Sequence, residues 1–283
     1  MTRADSQAGL VWRKLKRNRT ALIGGGIIIV FAVLAVIGSW IVPFNPVKQD
    51  LRFNLEKPSS KNLLGRDELG RDIFSRILAG TQISIAIAIA AVGIGLVLGV
   101  PLGLVSGFWG GKVDFIIQRV TDTMLAFPGF LLALALVSVI GVGFKNLVLS
   151  IGLSSVPIYI RLVRGCVLSV REQAYVEAAR ALGTRNVTIL YRHILVNVLV
   201  PIIVQSTLGM GTSILHAAGL GFLGLGVQPP APEWGAMLGS GRSYLFVAPH
   251  VATFPGLAIF LAVLGFNLFG DGLRDALDPR FKL

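Results

Sequence analysis

Few residues of this chain have a type and spacing that could carry chemistry. The three histidines, His193, His216 and His250, stand far apart, and the single cysteine is Cys166. Neither an H-E-x-x-H nor a C-x-x-C pattern occurs, so the usual ligand sets of zinc sites are missing. No nucleophile stands in a recognisable elbow. We therefore predict no catalytic residue and no metal site, and we class the chain as a protein other than an enzyme.

Two glycine patterns look like nucleotide loops, but neither has the required context. A G-x-G-x-x-G pattern covers residues 219–224, but no strand-to-helix unit surrounds it, as a dinucleotide site would need. Near Gly111-Lys112, Ser106 stands where a phosphate loop has its first glycine, and Val113 where it has Ser or Thr. We predict that this chain binds no cofactor and no ATP by itself.

One polar stretch, residues 174–183, could act as a mechanical contact. The apolar face at i, i+3, i+4 and i+7 consists of Tyr175, Ala178, Ala179 and Leu182. Glu177 and Arg180 lie off that face, and Gly183 is a natural helix-ending residue. The pattern predicts a short amphipathic helix that cannot span a bilayer and that offers a small-residue face to something outside it. An ordinary interfacial helix between two spans is the alternative.

Composition indicates the environment of this stretch. The chain has 283 residues, of which 54% are hydrophobic and 14% charged, whereas soluble domains carry about 25% charged residues. Long uncharged runs therefore predict an all-α polytopic membrane protein. The net charge of +12 lies in the gaps between the runs, so the positive-inside rule and contact with lipid head groups explain it better than nucleic-acid binding.

The first third of the chain predicts one span and one long connection. Residues 1–20 are basic and are expected in the cytoplasm. Ala21–Val42 runs 22 residues without a charge, which is too long for a signal peptide and enough for a first transmembrane helix. Residues 43–80 hold seven Lys/Arg and five Asp/Glu. We predict an extracytoplasmic loop with a juxtamembrane helix there, although its cations weaken the assigned orientation.

The remaining runs predict five more spans, so both termini are expected in the cytoplasm. They cover Ile83–Phe108, Met124–Val142, Asn146–Ile160 with an extension through Arg161 and Arg164, Ile194–Leu215 and Val251–Gly270. We assign residues 81–271 to one transmembrane domain that contains the short helix at 174–183, and residues 272–283 to a cytoplasmic C-terminus.

Three features inside the spans have candidate roles. Glycines four residues apart form a helix-packing face in the second span, and they are Gly95, Gly99, Gly103 and Gly107. Ser154 and Ser155 interrupt the fourth span, as happens where a helix lines a polar path; a plain kink is the alternative. His216 is the only ionisable side chain in residues 194–232. We expect it to face the path, or else to be hydrogen-bonded near the head groups.

The amphipathic stretch also resembles a known signature. Glu177-Ala178-Ala179 followed by Gly183 resembles the EAA loop of ABC importer permeases, the helix that docks into the cytoplasmic ATPase in that family. The family usually has Pro thirteen residues after the glycine, where this chain has Val196, and its nearest proline is Pro201.

Three further motifs resemble one branch of these permeases. Gly70-Arg71-Asp72, with Ser75-Arg76 and Gly80, is similar to a stretch before the second span of oligopeptide, dipeptide and nickel importer permeases. The segments 221–235 and 270–279 are similar to the same family. The chain looks like the permease type with a basic N-terminus and an extra first span, and its last third is most similar to the dipeptide and glutathione branches.

The resemblance implies a type I ABC importer transmembrane domain with six helices in a bacterial plasma membrane. It gives the ATPase-coupling role to Tyr175, Glu177, Ala178, Ala179 and Gly183. The implied partners are a homologous permease, two ATPases that bind ATP and Mg, and an extracytoplasmic binding protein. The implied substrates are di- or oligopeptides, or a peptide-like solute such as glutathione.

Two alternative functions stay open at this point. Nickel or another small solute is an alternative cargo within the same family. A stand-alone secondary transporter would need ionisable residues at the membrane midplane, and this chain offers only Asp122 near one end of a span and His216 near the end of another.

Overall fold

The computed structural model describes residues 7–277, apart from the side chains of residues 7, 8 and 10–12. Within that range every regular element is a helix, and the only strand-like pairing is one antiparallel bridge between Arg66 and Asp72. The predicted all-α architecture is confirmed. Residues 1–6 of the predicted basic segment 1–20 lie outside the described residues, and so do residues 278–283, which include the last two positions of the motif at 270–279.

Twelve α-helices follow one another in the described part of the chain. They are α1 (Gln7–Arg17), α2 (Arg19–Ile37), α3 (Ile73–Ile94), α4 (Val100–Trp109), α5 (Gly111–Leu125), α6 (Gly129–Ile140), α7 (Phe144–Val170), α8 (Ala174–Ala181), α9 (Asn186–Thr188), α10 (Val196–Phe222), α11 (Trp234–Gly241) and α12 (His250–Leu277). Two π-helical segments, Gly95–Gly99 and Ile189–Leu195, join α3 to α4 and α9 to α10, and short 3-10 turns cover Leu51–Phe53 and Arg242–Tyr244.

Five continuous helices of the described range are long and apolar enough to cross a membrane. They are Arg19–Ile37, Ile73–Trp109, Phe144–Val170, Asn186–Phe222 and His250–Leu277. The pair α5 and α6 makes a sixth span if it is counted as one, and its two halves are bent by 90°. This arrangement agrees with the predicted six-span fold.

The predicted juxtamembrane helix is continuous with the second span. One helix begins at Ile73, ten residues before the predicted start of the span at Ile83. Asp72 starts it, because its carboxylate accepts a hydrogen bond from the Ser75 amide at 2.8 Å. The charge of Arg76 suggested a loop, but this side chain is buried.

The third span is not the straight helix predicted over Met124–Val142. Pro128 separates α5 from α6, and a proline keeps the residue before it out of the helical conformation. The chain therefore turns by 90° at this point. The half α6 has 12 residues, which at about 1.5 Å per residue cannot cross a hydrocarbon core alone.

Three other predicted spans are longer in the structure. The fourth continues past Arg161 and Arg164 to Val170, as its predicted extension required. The fifth runs from Asn186 to Phe222, well beyond the predicted Leu215, so His216 lies inside the helix. The sixth runs from His250 to Leu277. The first span, in contrast, ends at Ile37 and not at Val42.

Successive spans run in opposite directions, so the connections collect at two ends of the molecule. The α8 end holds residues 109–111 and 171–185, and there the Arg171 guanidinium donates to the Gly107 carbonyl at 2.9 Å. The α11 end holds residues 38–72, 141–143 and 223–249, and there the Gly143 amide donates to the Gly226 carbonyl at 3.3 Å.

The four predicted packing glycines all lie against α7. A Cβ atom on Gly99 would stand 2.5 Å from the Tyr159 Cβ, and one on Gly103 would stand 2.8 Å from the Ile160 carbonyl oxygen. Gly95 and Gly107 approach the same helix as closely. Missing side chains thus let two backbones come into contact, as small-residue interfaces do in membranes. The sequence did not identify α7 as the partner.

A second close contact, between α2 and α12, was not predicted at all. A Cβ atom on Gly24 would stand 2.5 Å from the Phe269 amide nitrogen, and one on Gly272 would stand 2.5 Å from the Ala21 Cβ. The small residues on these helices do not recur at one regular spacing, so no motif revealed the pair.

We predict that Gly103→Ala destabilises the protein by about 1–3 kcal/mol, because the added methyl group overpacks the contact with α7. The matched control is Gly93→Ala on α3, where nothing lies within 4 Å of the new Cβ atom. Thermal unfolding in detergent should give a lower Tm for Gly103→Ala only. Equal Tm values for both variants would contradict the tight contact.

Candidate functional site

The predicted amphipathic helix exists as α8, Ala174–Ala181. It ends in a Schellman motif. Gly183 has a φ of +75°, its amide donates to the Arg180 carbonyl at 2.9 Å, and the Thr184 amide donates to the Ala179 carbonyl at 3.0 Å. A positive φ strains any residue with a Cβ atom, so glycine at this position fixes where the helix stops.

The buried face of α8 differs from the predicted apolar face. Val176 is 0% exposed and Ala179 is 8% exposed, and both belong to a cluster with Val163 of α7 and Ile194 before α10. Of the predicted face, only Ala179 points inward. The spacing rule failed because Val176 was not counted among the apolar positions.

The outward face of α8 carries the other predicted coupling residues. Leu182 is 85% exposed and Tyr175 is 44% exposed, and Glu177, Ala178 and Gly183 are exposed as well. Leu182 and Tyr175 thus leave apolar side chains open on the outer side of α8.

Arginines attach this end of the molecule to the spans. The Arg164 guanidinium on α7 makes a two-point ion pair with Asp114 on α5, at 2.6 and 2.7 Å. The Arg180 guanidinium lies 5.6 Å from the ring centroid of Phe108 on α4. With the Arg171 contact to α4 described above, these contacts hold α4, α5, α7 and α8 together.

The predicted path residues come together in the structure. His216, Ser154 and Ser155 line one cavity of about 60 Å³ between α3, α6, α7 and α10. The His216 ring lies 5.8 Å from the Phe130 ring on α6, measured between centroids. The cavity is large enough for about two water molecules.

Sequence reasoning missed four polar residues of this cavity, namely Tyr159, Gln205, Thr212 and Ser213. Gln205, Thr212 and His216 lie on one side of α10, because they are seven and four residues apart. That periodicity was available from the sequence. It was missed because only ionisable side chains were considered in the fifth span.

Two of the family-like motifs pack against each other at the α11 end. Trp234 is 0% exposed, and its indole N–H donates to the Ile77 carbonyl at 3.2 Å. A Cβ atom on Gly80 would lie 3.1 Å from the Pro232 carbonyl oxygen. These residues hold α11 against α3, so their role is structural.

Glu233 begins α11 and is 1% exposed. Its carboxylate accepts hydrogen bonds from the amides of Gly235 and Ala236, both at 2.8 Å. Burial raises the pKa of this carboxyl, while the two amide bonds act in the opposite direction.

The charged residues of the motif that begins at Gly70-Arg71-Asp72 form a buried ion-pair group with the residues just before it. The Arg71 guanidinium donates to the Asp67 carboxylate at 2.6 Å, and Arg76 approaches the same carboxylate at 3.4 Å. The Asn62 amide donates to Asp72 at 2.7 Å. The charges predicted as a solvated loop therefore neutralise one another inside the fold. Among residues 7–277, no three His, Cys, Asp or Glu side chains converge as metal ligands would.

Comparisons with known proteins relate this structure to one family of transport proteins. A family model described as a binding-protein-dependent transport system inner membrane component matches residues 99–283. A second, described as the N-terminal TM domain of oligopeptide transport permease C, matches residues 6–58.

Named relatives cover almost the whole chain. The glutathione transport system permease protein GsiD of Pectobacterium atrosepticum is 48% identical over 274 residues, which is 96% of this chain and 90% of the relative. The dipeptide transport system permease protein DppC of Alkalihalophilus pseudofirmus is 46% identical over 271 residues, with coverages of 96% and 89%.

The fold is also similar to a solved structure, an inward facing conformation of the MetNI methionine ABC transporter. The match has a TM-score of 0.59 at 18% identity, and it covers 72% of this chain and 97% of the solved chain.

We predict that Glu233→Gln lowers the Tm in detergent. A glutamine side chain has one acceptor oxygen, so one of the two amides at the start of α11 loses its partner, at a cost of about 1–3 kcal/mol. The control is Glu172→Gln, because the Glu172 side chain is 68% exposed, and its Tm should equal that of the wild type. Unchanged Tm in both variants would contradict the anchoring role of Glu233.

Proposed function

The chain belongs to the family of inner membrane components of binding-protein-dependent transport systems, and from that premise we propose that it carries glutathione, dipeptides or other short peptides. It is a permease subunit of an ABC importer, and its relatives are non-catalytic transport subunits. Such a subunit works with ATPases and a substrate-binding protein, so the stand-alone secondary transporter is set aside. ATP and Mg belong to the partner ATPases.

The observation that carries the coupling part of this proposal is the two-faced packing of α8. Its inner face, Val176 and Ala179, is fixed in the hydrophobic core, while Leu182 and Tyr175 stand open. A helix that is packed on one face and open on the other can transmit a displacement from a bound partner to the helices behind it. We assign ATPase docking to Tyr175, Glu177, Ala178 and Gly183, with Ala179 acting through its packing.

Movement of α8 would reach the cavity through the two helices that flank it. Three residues, 171–173, connect α8 to α7, and α9 connects it to α10. Val163 and Ile194, on these two flanking spans, share one core cluster with Val176. Displacement of α8 would therefore shift α7 and α10, the helices that carry Ser154, Ser155 and His216.

We propose that these three residues face the translocation path. The cavity of about 60 Å³ holds water and not a peptide, so the path needs a second wall. We assign that wall to a homologous permease, because Thr212 at the cavity is exposed in this chain. The α8 end would then face the cytoplasm, and the α11 end the binding protein.

The orientation is tested by cysteine labelling of intact cells. In a Cys166→Ser background, Ser59→Cys and Ser240→Cys at the α11 end should react with an impermeant maleimide added outside. Thr184→Cys, beside α8, should react only after permeabilisation. Reaction of Ser59→Cys solely in permeabilised cells would reverse the proposed orientation.

The docking assignment is tested by a matched pair of glycine substitutions. Gly183 and Gly224 have φ values of +75° and +79°, and at neither position does anything lie within 4 Å of an added Cβ atom. Both terminate helices with the same pair of amide bonds. Gly183→Ala and Gly224→Ala should therefore cost similar stability, about 1 kcal/mol.

Only the variant at α8 should affect the ATPases. We expect Gly183→Ala and Glu177→Ala to weaken co-purification of the ATPases and to reduce substrate-stimulated ATP hydrolysis, with the subunit still inserted in the membrane. Gly224→Ala should retain both properties. Normal ATPase binding and hydrolysis in both α8 variants would refute the docking assignment.

A further inference from the structure

A polar stripe runs along one side of α10 and faces the cavity. It consists of Gln205, Gly209, Thr212 and His216, at successive spacings of four, three and four residues. At a rise of about 1.5 Å per residue the stripe is roughly 16 Å long. An extended peptide of about five residues has the same length. The stripe therefore matches a short peptide that lies along the helix.

Three hydroxyl groups around the cavity donate their hydrogen atoms to carbonyl oxygens of their own helices. Ser154 donates to the Ile151 carbonyl at 2.8 Å, Ser155 donates to the Gly152 carbonyl at 2.7 Å, and Thr212 donates to the Leu208 carbonyl at 3.3 Å. A hydroxyl that donates to its own helix still has free lone pairs. These three groups can offer the cavity only acceptors.

The floor of the cavity is arranged in the same way. The Tyr159 ring fits against Gly95 and Gly99, and an added Cβ atom on Gly209 would lie 3.2 Å from its hydroxyl oxygen. That hydroxyl group points toward Ser206, at 3.4 Å. Because residue 209 has no side chain, the Tyr159 hydroxyl oxygen has room beside α10.

The lining carries no full charge, and this decides which hydrogen-bond donors suit the cavity. No Asp, Glu, Lys or Arg is among the described residues that line the cavity. An ammonium group would enter a low-dielectric site without a counter-charge, which is costly. A neutral amide N–H group matches the acceptors without that cost.

We propose that the polar stripe of α10, together with Ser154 and Ser155, recognises the main-chain amide N–H groups of the transported peptide. This inference rests on the proposed function. It makes the permease select for a peptide backbone, whatever the side chains are. Recognition through neutral hydrogen bonds is also weak enough for the substrate to leave, as a transport path requires.

The test compares two substrates and two threonine variants in the complete complex. The substrates are a tripeptide and the analogue in which an ester oxygen replaces one amide N–H. The variants are Thr212→Val on the stripe and Thr207→Val on another side of α10. Thr207 also donates to its own helix, at 3.0 Å to the Ile203 carbonyl, but it lines an apolar groove near Phe269 of α12.

The measured quantity is the ratio of amide to ester uptake in proteoliposomes. The binding protein is the same in every sample, so its own preference cancels when each variant is compared with the wild type. Thr212→Val should reduce the ratio by roughly two- to tenfold, the effect of one neutral hydrogen bond. Thr207→Val should leave it unchanged. Ser155→Ala repeats the measurement from α7, in case Thr212→Val does not fold.

Each outcome decides a different point. An unchanged ratio in Thr212→Val and Ser155→Ala, with both substrates slowed equally, would overturn amide recognition and leave the peptide permease in place. A wild-type complex that takes up neither substrate would overturn the proposed function, and the inference with it. A reduced ratio in Thr207→Val as well would overturn the assignment to the stripe.

Discussion

The close approach of α4 to α7 is the contact on which the other features of this protein depend. Backbone meets side chain directly at Gly99 and Gly103, because no Cβ atoms keep the helices apart. In a bilayer, lipid tails are as apolar as leucine, so such van der Waals contact replaces the hydrophobic effect as the force that joins helices. The contact fixes α7, which carries Ser154 and Ser155 in its middle and leads into α8 at its end.

The ion pairs of the protein lie toward the two ends of the helix bundle and not in its middle. At the α11 end, Arg71 and Arg76 share the carboxylate of Asp67 in a buried group. At the α8 end, Arg164 and Asp114 connect α7 to the bent span. Breaking one partner of a buried pair leaves an uncompensated charge. Ion pairs therefore lie at both ends, whereas no Asp, Glu, Lys or Arg of the described residues lines the cavity in the middle of the bundle.

The separation of the ion pairs from the uncharged cavity gives the proposed transport function a physical basis. In the proposed function, the α8 end would take the force of the ATPases, and the uncharged cavity would let substrate pass. The connection between them is short, because α8 lies between α7 and α10 in the chain and shares a hydrophobic cluster with both. Among the described residues, no Asp or Glu lines the cavity beside His216.

Local signals in the sequence predicted the apolar part of each span, and they predicted a short helix that ends before Gly183. Hydrophobic length and the positive φ of glycine need no distant residue, so they can be read from the chain alone. The tertiary structure alone decided that Val176 and not Leu182 faces inward, that Arg76 is buried, and that Ser154 and Ser155 of α7 meet His216 of α10 in one cavity. The spans are apolar on nearly every side, and α8 has apolar residues on more than one. Such faces pack almost equally well against lipid, a neighbouring helix or a partner protein. Only the shape of the packed helices therefore selects which residues meet.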